Sequence, residues 1–106
     1  MTALSIVIPI YNEEGNVIEL HQEIVAVCKA NNYTYEIILV DDGSSDNTVK
    51  LAKTLSPVKL IQLRKNFGQT AAMDAGIKAS QYDYIITMDG DRQNDPTDIP
   101  KLIQHL

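Results

Sequence analysis

The sequence predicts a three-layer α/β/α fold built around a mainly parallel β-sheet. Four nearly continuous apolar runs are typical of buried strands, the segments between them carry apolar residues at helical spacing, and the two kinds of segment alternate strictly. Strands that alternate with helices imply right-handed crossovers and a parallel, doubly wound sheet. With 106 residues, the chain is long enough for one domain, residues 1–106, and too short for two.

The four predicted strands are apolar along most of their length rather than alternating between apolar and polar. They cover residues 4–10, 35–40, 58–63 and 84–88. A strand of this kind is typical of a sheet that has helices on both of its faces. We therefore expect all four strands to be buried on both faces.

Two of the predicted helices have clear packing faces. From Val17 to Cys28, apolar residues recur at steps of three and four, while charged residues take the opposite face. Residues 68–79 form the third predicted helix, which is rich in small residues such as Ala72 and Gly76 that permit close approach to a sheet. We expect Cys28 to be a buried core thiol rather than a nucleophile.

The second and fourth helices are predicted from their ends. Ser45 or Asp46 can cap the second helix, and Pro57 ends it because proline lacks a backbone donor. The fourth helix begins near Asp98. We interpret Asp46, Asp95 and Asp98 as turn formers and helix caps, which is the usual role of aspartate in loops.

Composition and charge limit the classes of partner. Fourteen acidic against nine basic residues give a net charge of −5, which argues against general nucleic-acid binding, since that needs clustered Lys and Arg. The single cysteine cannot form an intrachain disulfide, and the N-terminus lacks the pattern of a signal peptide, so we expect a cytoplasmic location. No apolar stretch approaches the ~20 residues that span a bilayer. His21 is expected on the surface.

The strongest candidate site follows the fourth strand. In a doubly wound sheet, ligands bind beyond the carboxyl ends of the strands, where the strand order reverses. Asp89 and Asp91 come directly after a buried run with only Gly90 between them, and carboxylates at that spacing can converge on one cation. Two like charges ~4 Å apart cost on the order of 4 kcal/mol at an effective dielectric near 20, so a divalent ion between them is favoured. All-oxygen ligands select Mg²⁺ or Mn²⁺, and Gln93 can supply another oxygen.

Other ligand motifs fit less well. An EF-hand counted from Asp89 would need glycine where Asn94 stands and glutamate where Pro100 stands. Neither G-x-x-x-x-G-K-[ST] nor G-x-G-x-x-G occurs, so a metal, and not a glycine-rich loop, would carry nucleotide phosphates. After the second strand, Asp41 and Asp42 offer carboxylates to a base N–H or a ribose hydroxyl. A turn and helix cap is an equally good interpretation of Asp41, and a weaker one of Asp42.

Four sequence blocks, in order, resemble those of the family 2 glycosyltransferases. They are SIVIPIYNEE (5–14), VDDGSSDNT (40–48), RKNFGQ (64–69) and MDGDRQNDP (88–96). Within that family they are most similar to the dolichol-phosphate mannose synthase-like, polyprenyl-phosphate glycosyltransferases. The sequence departs from the common D-A-D-L-Q form by Gly90, which we expect to be harmless, and by Arg92, which adds a cation beside the metal site.

This resemblance implies a GT-A, Rossmann-like fold and a metal-dependent, inverting hexosyltransferase. The donor would be GDP-mannose or a UDP-sugar, and the acceptor a polyprenyl or dolichyl phosphate. Asp89 and Asp91 would be the catalytic residues and, with Gln93, would hold Mg²⁺ or Mn²⁺ on the donor diphosphate. Seven further residues would contact the donor, with Asp42 at the base or ribose: Pro9, Tyr11, Glu13, Asp42, Arg64, Asn66 and Gly68.

The resemblance also changes the meaning of the chain's length. Residues 1–106 would be the donor-binding N-terminal part of a longer GT-A domain, at the cytoplasmic face of a membrane in the full-length protein. The edge of the fourth strand would then be uncovered, which predicts self-association, most simply as a two-fold dimer. Two alternatives remain: a fragment that binds nucleotide or metal without catalysis, and a receiver-type signalling domain, although a receiver expects its acidic pair after the first strand, where Asn12-Glu13-Glu14 stand.

Overall fold

The computed structural model describes residues 2–90 and 95–104, in which strands and helices alternate as predicted. The strands are β1 (Ala3–Ile10), β2 (Thr34–Asp41), β3 (Lys59–Gln62) and β4 (Tyr84–Thr87). The helices are α1 (Val17–Ala30), α2 (Thr48–Ala52), α3 (Gln69–Ala79) and α4 (Ile99–Gln104), with a 3₁₀ turn, Pro96–Asp98, before α4. Each predicted strand overlaps an observed one, and no end position differs by more than one residue.

The four strands form one parallel sheet in the order β3-β2-β1-β4. β1 is central and pairs with β2 along its whole length, from Ala3 opposite Thr34 to Ile10 opposite Asp41. The chain first winds outward from β1 to β2 and β3 and then returns to place β4 on the other side, so the strand order reverses between β1 and β4. A receiver-type sheet has the order 2-1-3-4-5, so this topology excludes the receiver interpretation.

Helices cover both faces of the two inner strands, which gives the predicted three layers. The even-numbered residues of β1, such as Leu4 and Ile6, belong to the core shared with α1. On the opposite face Val7 belongs to a smaller core with Ala72 of α3. This alternation explains the continuous apolar character of β1, because a strand with helices on both sides has no solvated face.

Helix α3 approaches the sheet closely because it carries Gly76. A β-carbon at this position would overlap Cγ1 of Val7 and lie 3.0 Å from Cγ2 of Val40. The small residues of this helix thus let its backbone lie directly on β1 and β2, as predicted.

The outer strands are not buried on both faces, so the expectation for residues 58–63 and 84–88 is wrong. Most side chains of β3 and β4 are half-buried or exposed, and Tyr84 and Ile85 retain 48% and 38% of their accessible surface. The cause is topological: α3 packs on β1 and β2, and β4 lies at the edge of the sheet. The apolar composition of an edge strand cannot be distinguished from that of a central one by sequence pattern alone.

Three smaller expectations can be compared with the structure. His21 was expected on the surface but is buried, with Nε2 2.9 Å from the carbonyl oxygen of Pro57. The second helix ends at Ala52, earlier than the proline was expected to end it, although turn-like hydrogen bonds continue to Leu55. Asp95 caps the 3₁₀ turn as predicted, since its carboxylate accepts a hydrogen bond from the backbone of Thr97 at 3.0 Å.

Pro9 is unusual because it lies in the central strand. The carbonyl of Val7 accepts a hydrogen bond from Met88, so odd-numbered residues of β1 direct their backbone groups toward β4. The ladder between β1 and β4 ends at the pair of Val7 with Thr87. Pro9 therefore faces β4 just beyond the last pair, where the missing N–H costs no ladder hydrogen bond.

Across residues 2–90 and 95–104, no helix has the length and apolar character needed to cross a bilayer.

Candidate functional site

A cleft of about 280 Å³ lies at the carboxyl ends of β1, β2 and β4. The strand order reverses at this point, so the cleft occupies the position at which doubly wound sheets bind ligands. Its described walls are Pro9, Ile10, Tyr11, Glu13, Asp42, Gln69, Asp89 and Gly90. Five of the predicted site residues thus lie together: Pro9, Tyr11, Glu13, Asp42 and Asp89.

The cleft is acidic. Glu13, Asp42 and Asp89 each contribute a carboxylate, and none of the described lining residues is basic. A concave surface with three carboxylates lowers the electrostatic potential inside it and favours a cation. Oxygen donors of this kind suit Mg²⁺ or Mn²⁺ better than a softer metal.

Only part of the predicted metal site can be placed. Asp89 lies in the cleft, whereas Asp91 and Gln93 fall outside the described residues, as does Arg92. In the part of the chain that the structure describes, no three His, Cys, Asp or Glu side chains form a complete set of metal ligands. The chemistry of Asp89 and its acidic surroundings fits the predicted hard cation.

Asp42 is held rigidly at the wall of the cleft. Its backbone N–H donates to the carbonyl of Ile10 at 2.9 Å, directly after β2 ends at Asp41. Its side chain is buried, and its two carboxylate oxygens accept hydrogen bonds from the backbone N–H groups of Phe67 at 2.8 Å and Gly68 at 3.0 Å. The carboxylate therefore anchors the segment that begins α3, a role that the sequence analysis did not anticipate.

Asp41 has the turn-forming role that was one of its two interpretations. Its carboxylate accepts hydrogen bonds from the backbone N–H of Ser44 at 3.0 Å and from the Ser44 hydroxyl at 2.5 Å. Gly43 lies inside this turn with a φ of 80°, in the left-handed region that favours glycine. The turn directs Asp41 away from the cleft and leaves Asp42 as the lining residue.

Side chains after β2 fasten the loop between β1 and α1. The N–H of Asn12 donates to the Ser44 hydroxyl at 2.8 Å, and the Asn12 side-chain oxygen accepts from the N–H of Ser45 at 2.8 Å. The N–H of Glu13 donates to the Thr48 hydroxyl, also at 2.8 Å. These three hydrogen bonds join two loops that are about 30 residues apart in sequence and hold the backbone of Glu13 at the cleft.

Asp46 completes this connection as a turn former, which was one of the roles predicted for it, whereas the N-cap position of α2 is Asn47 and not Ser45 or Asp46. Its carboxylate accepts hydrogen bonds from the N–H and the hydroxyl of Thr48 and, at 3.4 Å, from the N–H of Glu14. Although partial desolvation raises the pKa of Asp46, these hydrogen bonds outweigh it and hold the pKa below its ordinary value.

The end of β4 packs tightly against the end of β1. A β-carbon on Gly90 would lie 2.9 Å from Cγ2 of Ile10 and 3.0 Å from the carbonyl oxygen of Pro9. Alanine at this position would push the segment after β4 away from the end of β1, so glycine suits this position. The close packing fixes the backbone that carries Asp89.

The three residues predicted beside the donor with the RKNFGQ block do not line the cleft. Arg64 and Asn66 are exposed, and the Asn66 side chain accepts a hydrogen bond from Gly68 at 3.1 Å. Gly68 touches the site indirectly, through its hydrogen bond to Asp42. The next residue, Gln69, does line the cleft and was not singled out by the sequence analysis. The sequence could have identified Gln69 as a candidate, because it is a polar residue at the start of a predicted helix, at the end of the sheet where ligands bind.

Cys28 is fully buried on α1, as predicted for a core thiol. Burial raises its pKa to about 11. The thiol is therefore protonated at neutral pH and has the character of a small apolar side chain.

Comparison with known proteins gives relatives along the whole chain. The chain is 44% identical over 108 residues to dodecaprenyl-phosphate galacturonate synthase of Rhizobium johnstonii, a match that covers 97% of this chain and 32% of that protein. It is 46% identical over 106 residues to undecaprenyl-phosphate 4-deoxy-4-formamido-L-arabinose transferase of Pseudomonas fluorescens, covering 95% of this chain and 31% of that protein. The chain thus spans about a third of the length of these relatives.

Solved structures agree on the fold. Glucosyl-3-phosphoglycerate synthase from Mycobacterium tuberculosis, crystallised with Mn²⁺, uridine diphosphate and glucosyl-3-phosphoglycerate, matches with a TM-score of 0.78 at 22% identity. The match covers 97% of this chain and 39% of that one, and identifies the sheet and its helices as a GT-A arrangement. A family model described as Glycosyl transferase family 2 matches residues 5–106. Because this family model covers nearly the whole sequence, the chain belongs to glycosyl transferase family 2.

Proposed function

We propose that this chain is the donor-binding part of a metal-dependent glycosyltransferase that moves a hexosyl group from a nucleotide-sugar to a polyprenyl or dolichyl phosphate. The observation that carries the proposal is the acidic cleft at the reversal of strand order, with Asp89 on its floor and Asp42 on its wall. The acceptor is supported by the names of the two relatives, a dodecaprenyl-phosphate galacturonate synthase and an undecaprenyl-phosphate 4-deoxy-4-formamido-L-arabinose transferase. The donor would be GDP-mannose or a UDP-sugar.

The metal-binding residues in this proposal are Asp89, Asp91 and Gln93. Bound Mg²⁺ or Mn²⁺ would act as a Lewis acid that offsets the charge developing on the departing diphosphate. Asp89 would present its carboxylate from a backbone fixed by the packing of Gly90 on Pro9. Its acidic neighbour Glu13 adds to the potential that attracts the cation.

The nucleoside would lie against Pro9 and Tyr11. Tyr11 retains 45% of its surface and offers an aromatic face to a base, while Pro9 supplies an apolar wall. Asp42 would accept a hydrogen bond from a base N–H or a ribose hydroxyl, because a carboxylate oxygen that already binds one backbone N–H has capacity for a second. Gly68 would support the nucleoside site through its hydrogen bond to Asp42, whereas Arg64 and Asn66 lie outside the cleft and carry no donor contact in this proposal.

The acceptor chemistry fits a site without a dedicated base. A phosphate monoester has a second pKa near ~6 and is largely ionised at neutral pH, so its oxygen is already a nucleophile. The bond from the anomeric carbon to the diphosphate breaks as the bond to the acceptor oxygen forms on the opposite face, which inverts the configuration. Transfer would take place in a longer protein, since this chain spans only about a third of the length of its relatives. A lipid-linked acceptor would place that protein at the cytoplasmic face of a membrane.

Calorimetry on the 106-residue chain tests the donor site. UDP-sugars and GDP-mannose are titrated with and without Mn²⁺, and we expect binding that requires the metal and distinguishes the two bases. Asp89→Asn should weaken this binding at least tenfold because it removes a metal-binding charge. The matched control is Asp83→Asn, which should leave the binding unchanged, because Asp83 is exposed and lies just before β4, at the end of the sheet opposite the cleft. Nucleotide binding that ignores Mn²⁺ in every variant would overturn the proposal.

We also propose that this chain associates with itself through the edge of β4. Within residues 2–90 and 95–104, β4 is an outer strand of the sheet with no strand paired to its outer edge, and Tyr84 and Ile85 expose apolar surface there. Pairing of two such edges would give a two-fold dimer. Sedimentation velocity at rising concentration should show a dimer that Ile85→Lys weakens, because a charge at an edge opposes strand pairing. A monomer at all concentrations contradicts this proposal and leaves the donor site untouched.

A further inference from the structure

A hydrogen bond crosses the cleft from the start of α3 to the end of β4. The side-chain amide of Gln69 donates from Nε2 to Oδ1 of Asp89 at 3.0 Å, and both residues line the cleft. Gln69 is the first residue of α3, so its backbone position depends on where that helix begins. The contact joins two parts of the chain that meet only in the folded protein.

The start of α3 is itself fixed by Asp42. The carboxylate of Asp42 accepts hydrogen bonds from Phe67 and Gly68, the two residues before Gln69. Gly68 adopts a φ of 101°, which turns the chain into the helix, and its carbonyl accepts the helical hydrogen bond from Ala72 at 3.2 Å. The amide of Gln69 is therefore carried by a backbone that is anchored on both sides.

A neutral donor suits a carboxylate that must bind a cation. An amide N–H orients the carboxylate and leaves its negative charge in place, whereas a lysine or arginine at the same distance would neutralise it. Groups that orient a metal-binding side chain from outside the coordination sphere commonly change metal affinity by about 10- to 100-fold. Gln69 has the position and the chemistry of such a group.

We propose that Gln69 is a positioning residue that holds the carboxylate of Asp89 in the orientation needed to bind the divalent cation. The inference rests on the proposed metal-dependent function, since it assigns the orientation of one of the metal-binding residues. It also connects the two carboxylates of the cleft: Asp42 anchors the helix start, and the helix start orients Asp89.

The contact itself can be tested without metal, by NMR on the ¹⁵N-labelled chain. The side-chain NH₂ resonances of Gln69 should be shifted from those of a solvent-exposed glutamine and should return toward them in Asp89→Ala. Asp83→Asn is the control and should leave them in place. A Gln69 side chain with solvent-like resonances in the unmodified chain would overturn the inference.

The effect on the metal is tested with Mn²⁺ in the presence of UDP, by electron paramagnetic resonance. Gln69→Met keeps the length of the side chain and removes the amide, and we expect it to weaken Mn²⁺ binding about tenfold. Thr70→Val, at the next exposed position of α3, is the matched control. In an Asp89→Ala background, Gln69→Met should have no further effect on Mn²⁺ affinity. The urea unfolding curves of Gln69→Met and the unmodified chain should coincide, so that a change in Mn²⁺ affinity does not reflect a loss of folding.

These outcomes separate the two proposals. If Asp89→Ala weakens Mn²⁺ binding and Gln69→Met leaves it unchanged, the positioning role is wrong and the metal site stands. If Asp89→Ala leaves Mn²⁺ binding unchanged, the proposed metal site fails, and the positioning role fails with it. A loss of Mn²⁺ affinity in Gln69→Met that is equally large in the Asp89→Ala background would also overturn the positioning role.

Discussion

Gly43 and Asn66 touch backbone to backbone. A β-carbon on Gly43 would lie 2.7 Å from the backbone nitrogen of Asn66 and equally close to the carbonyl carbon of Lys65. The turn after β2 therefore lies directly on the loop between β3 and α3. This contact brings Asp42, next to the glycine, within hydrogen-bonding distance of Phe67 and Gly68.

We expect Gly43→Ala to lower the free energy of unfolding by about 2 kcal/mol or more, because it combines a strained positive φ with a backbone clash. Urea denaturation measures the change. Gly68→Ala isolates the cost of a positive φ, since Gly68 has open space around it and no backbone clash. Gly15→Ala has neither feature and should have little effect. Equal stabilities for the three variants would contradict the contact.

Gly76→Ala should destabilise the chain even though alanine is a better helix former by about 1 kcal/mol. The added methyl group would overlap Val7 and crowd Val40, and overpacking of this kind costs about 1–3 kcal/mol. Thermal unfolding shows whether Gly76→Ala lowers or raises the stability of the chain. The double variant with Val7→Ala should be more stable than the sum of the single changes predicts, because the smaller residue makes room for the methyl group. A rise in stability of Gly76→Ala alone would show that α3 lies further from the sheet.

Asp42→Asn should free one of the two backbone N–H groups that the carboxylate holds. The asparagine side chain keeps one acceptor oxygen and presents an NH₂ where the other oxygen was, so the hydrogen bond to Phe67 or the one to Gly68 is lost. Gly68 can still donate to the Asn66 side chain, whereas leaving the N–H of Phe67 unsatisfied costs about 1–3 kcal/mol. Amide hydrogen exchange should accelerate at these two residues, and Asp83→Asn should leave their exchange rates unchanged. Unchanged exchange in Asp42→Asn would count against the anchoring role.

The thiol of Cys28 should resist alkylation until the chain unfolds, because it is fully buried and its pKa is raised to about 11 by burial. In the unfolded chain a cysteine ionises near pH 8.5. The stability contributed by the folded, protonated thiol should therefore be complete below about pH 8.5 and decline as the pH rises toward 11. Iodoacetamide labelling at increasing urea and the alkaline stability profile measure both effects. Cys28→Ala should reduce the alkaline slope, to which Tyr35 also contributes because burial raises its pKa too. Rapid labelling without urea would contradict the burial.

Asp46 should contribute stability that is lost in acid. Its folded pKa lies below the ordinary value, which is about 3.9 in an unfolded chain, so the contribution is present above that pH and disappears as the pH falls through the folded pKa. Asp46→Asn should therefore be less stable than the unmodified chain at pH 7 and similar to it at the lowest pH at which both fold. Acid titrations followed by circular dichroism compare them. A difference in stability that does not change with pH would assign the effect to hydrogen bonding alone.

Local pattern accounts for the parts of this protein that the sequence predicted well. The apolar runs of β1 and β2 and the helical spacing between Val17 and Cys28 depend on the periodicity of the chain, which is a property of neighbouring residues. The position of the ligand cleft follows from strand alternation and the reversal of strand order. The DDGS block likewise predicts a turn, because Asp41, Gly43 and Ser44 are residue types that favour turns.

Contacts between distant segments account for the rest. The sequence by itself determined the parallel α/β architecture, the acidic character of the cleft and the resemblance to the glycosyltransferases. Only the tertiary structure decided that β3 and β4 have exposed faces, that Asp42 anchors α3, and that Gln69 reaches Asp89. The reason is physical: an apolar run has the same composition at an edge as in the centre of a sheet. A polar side chain finds its partner only after the sheet has brought separate loops to the same edge.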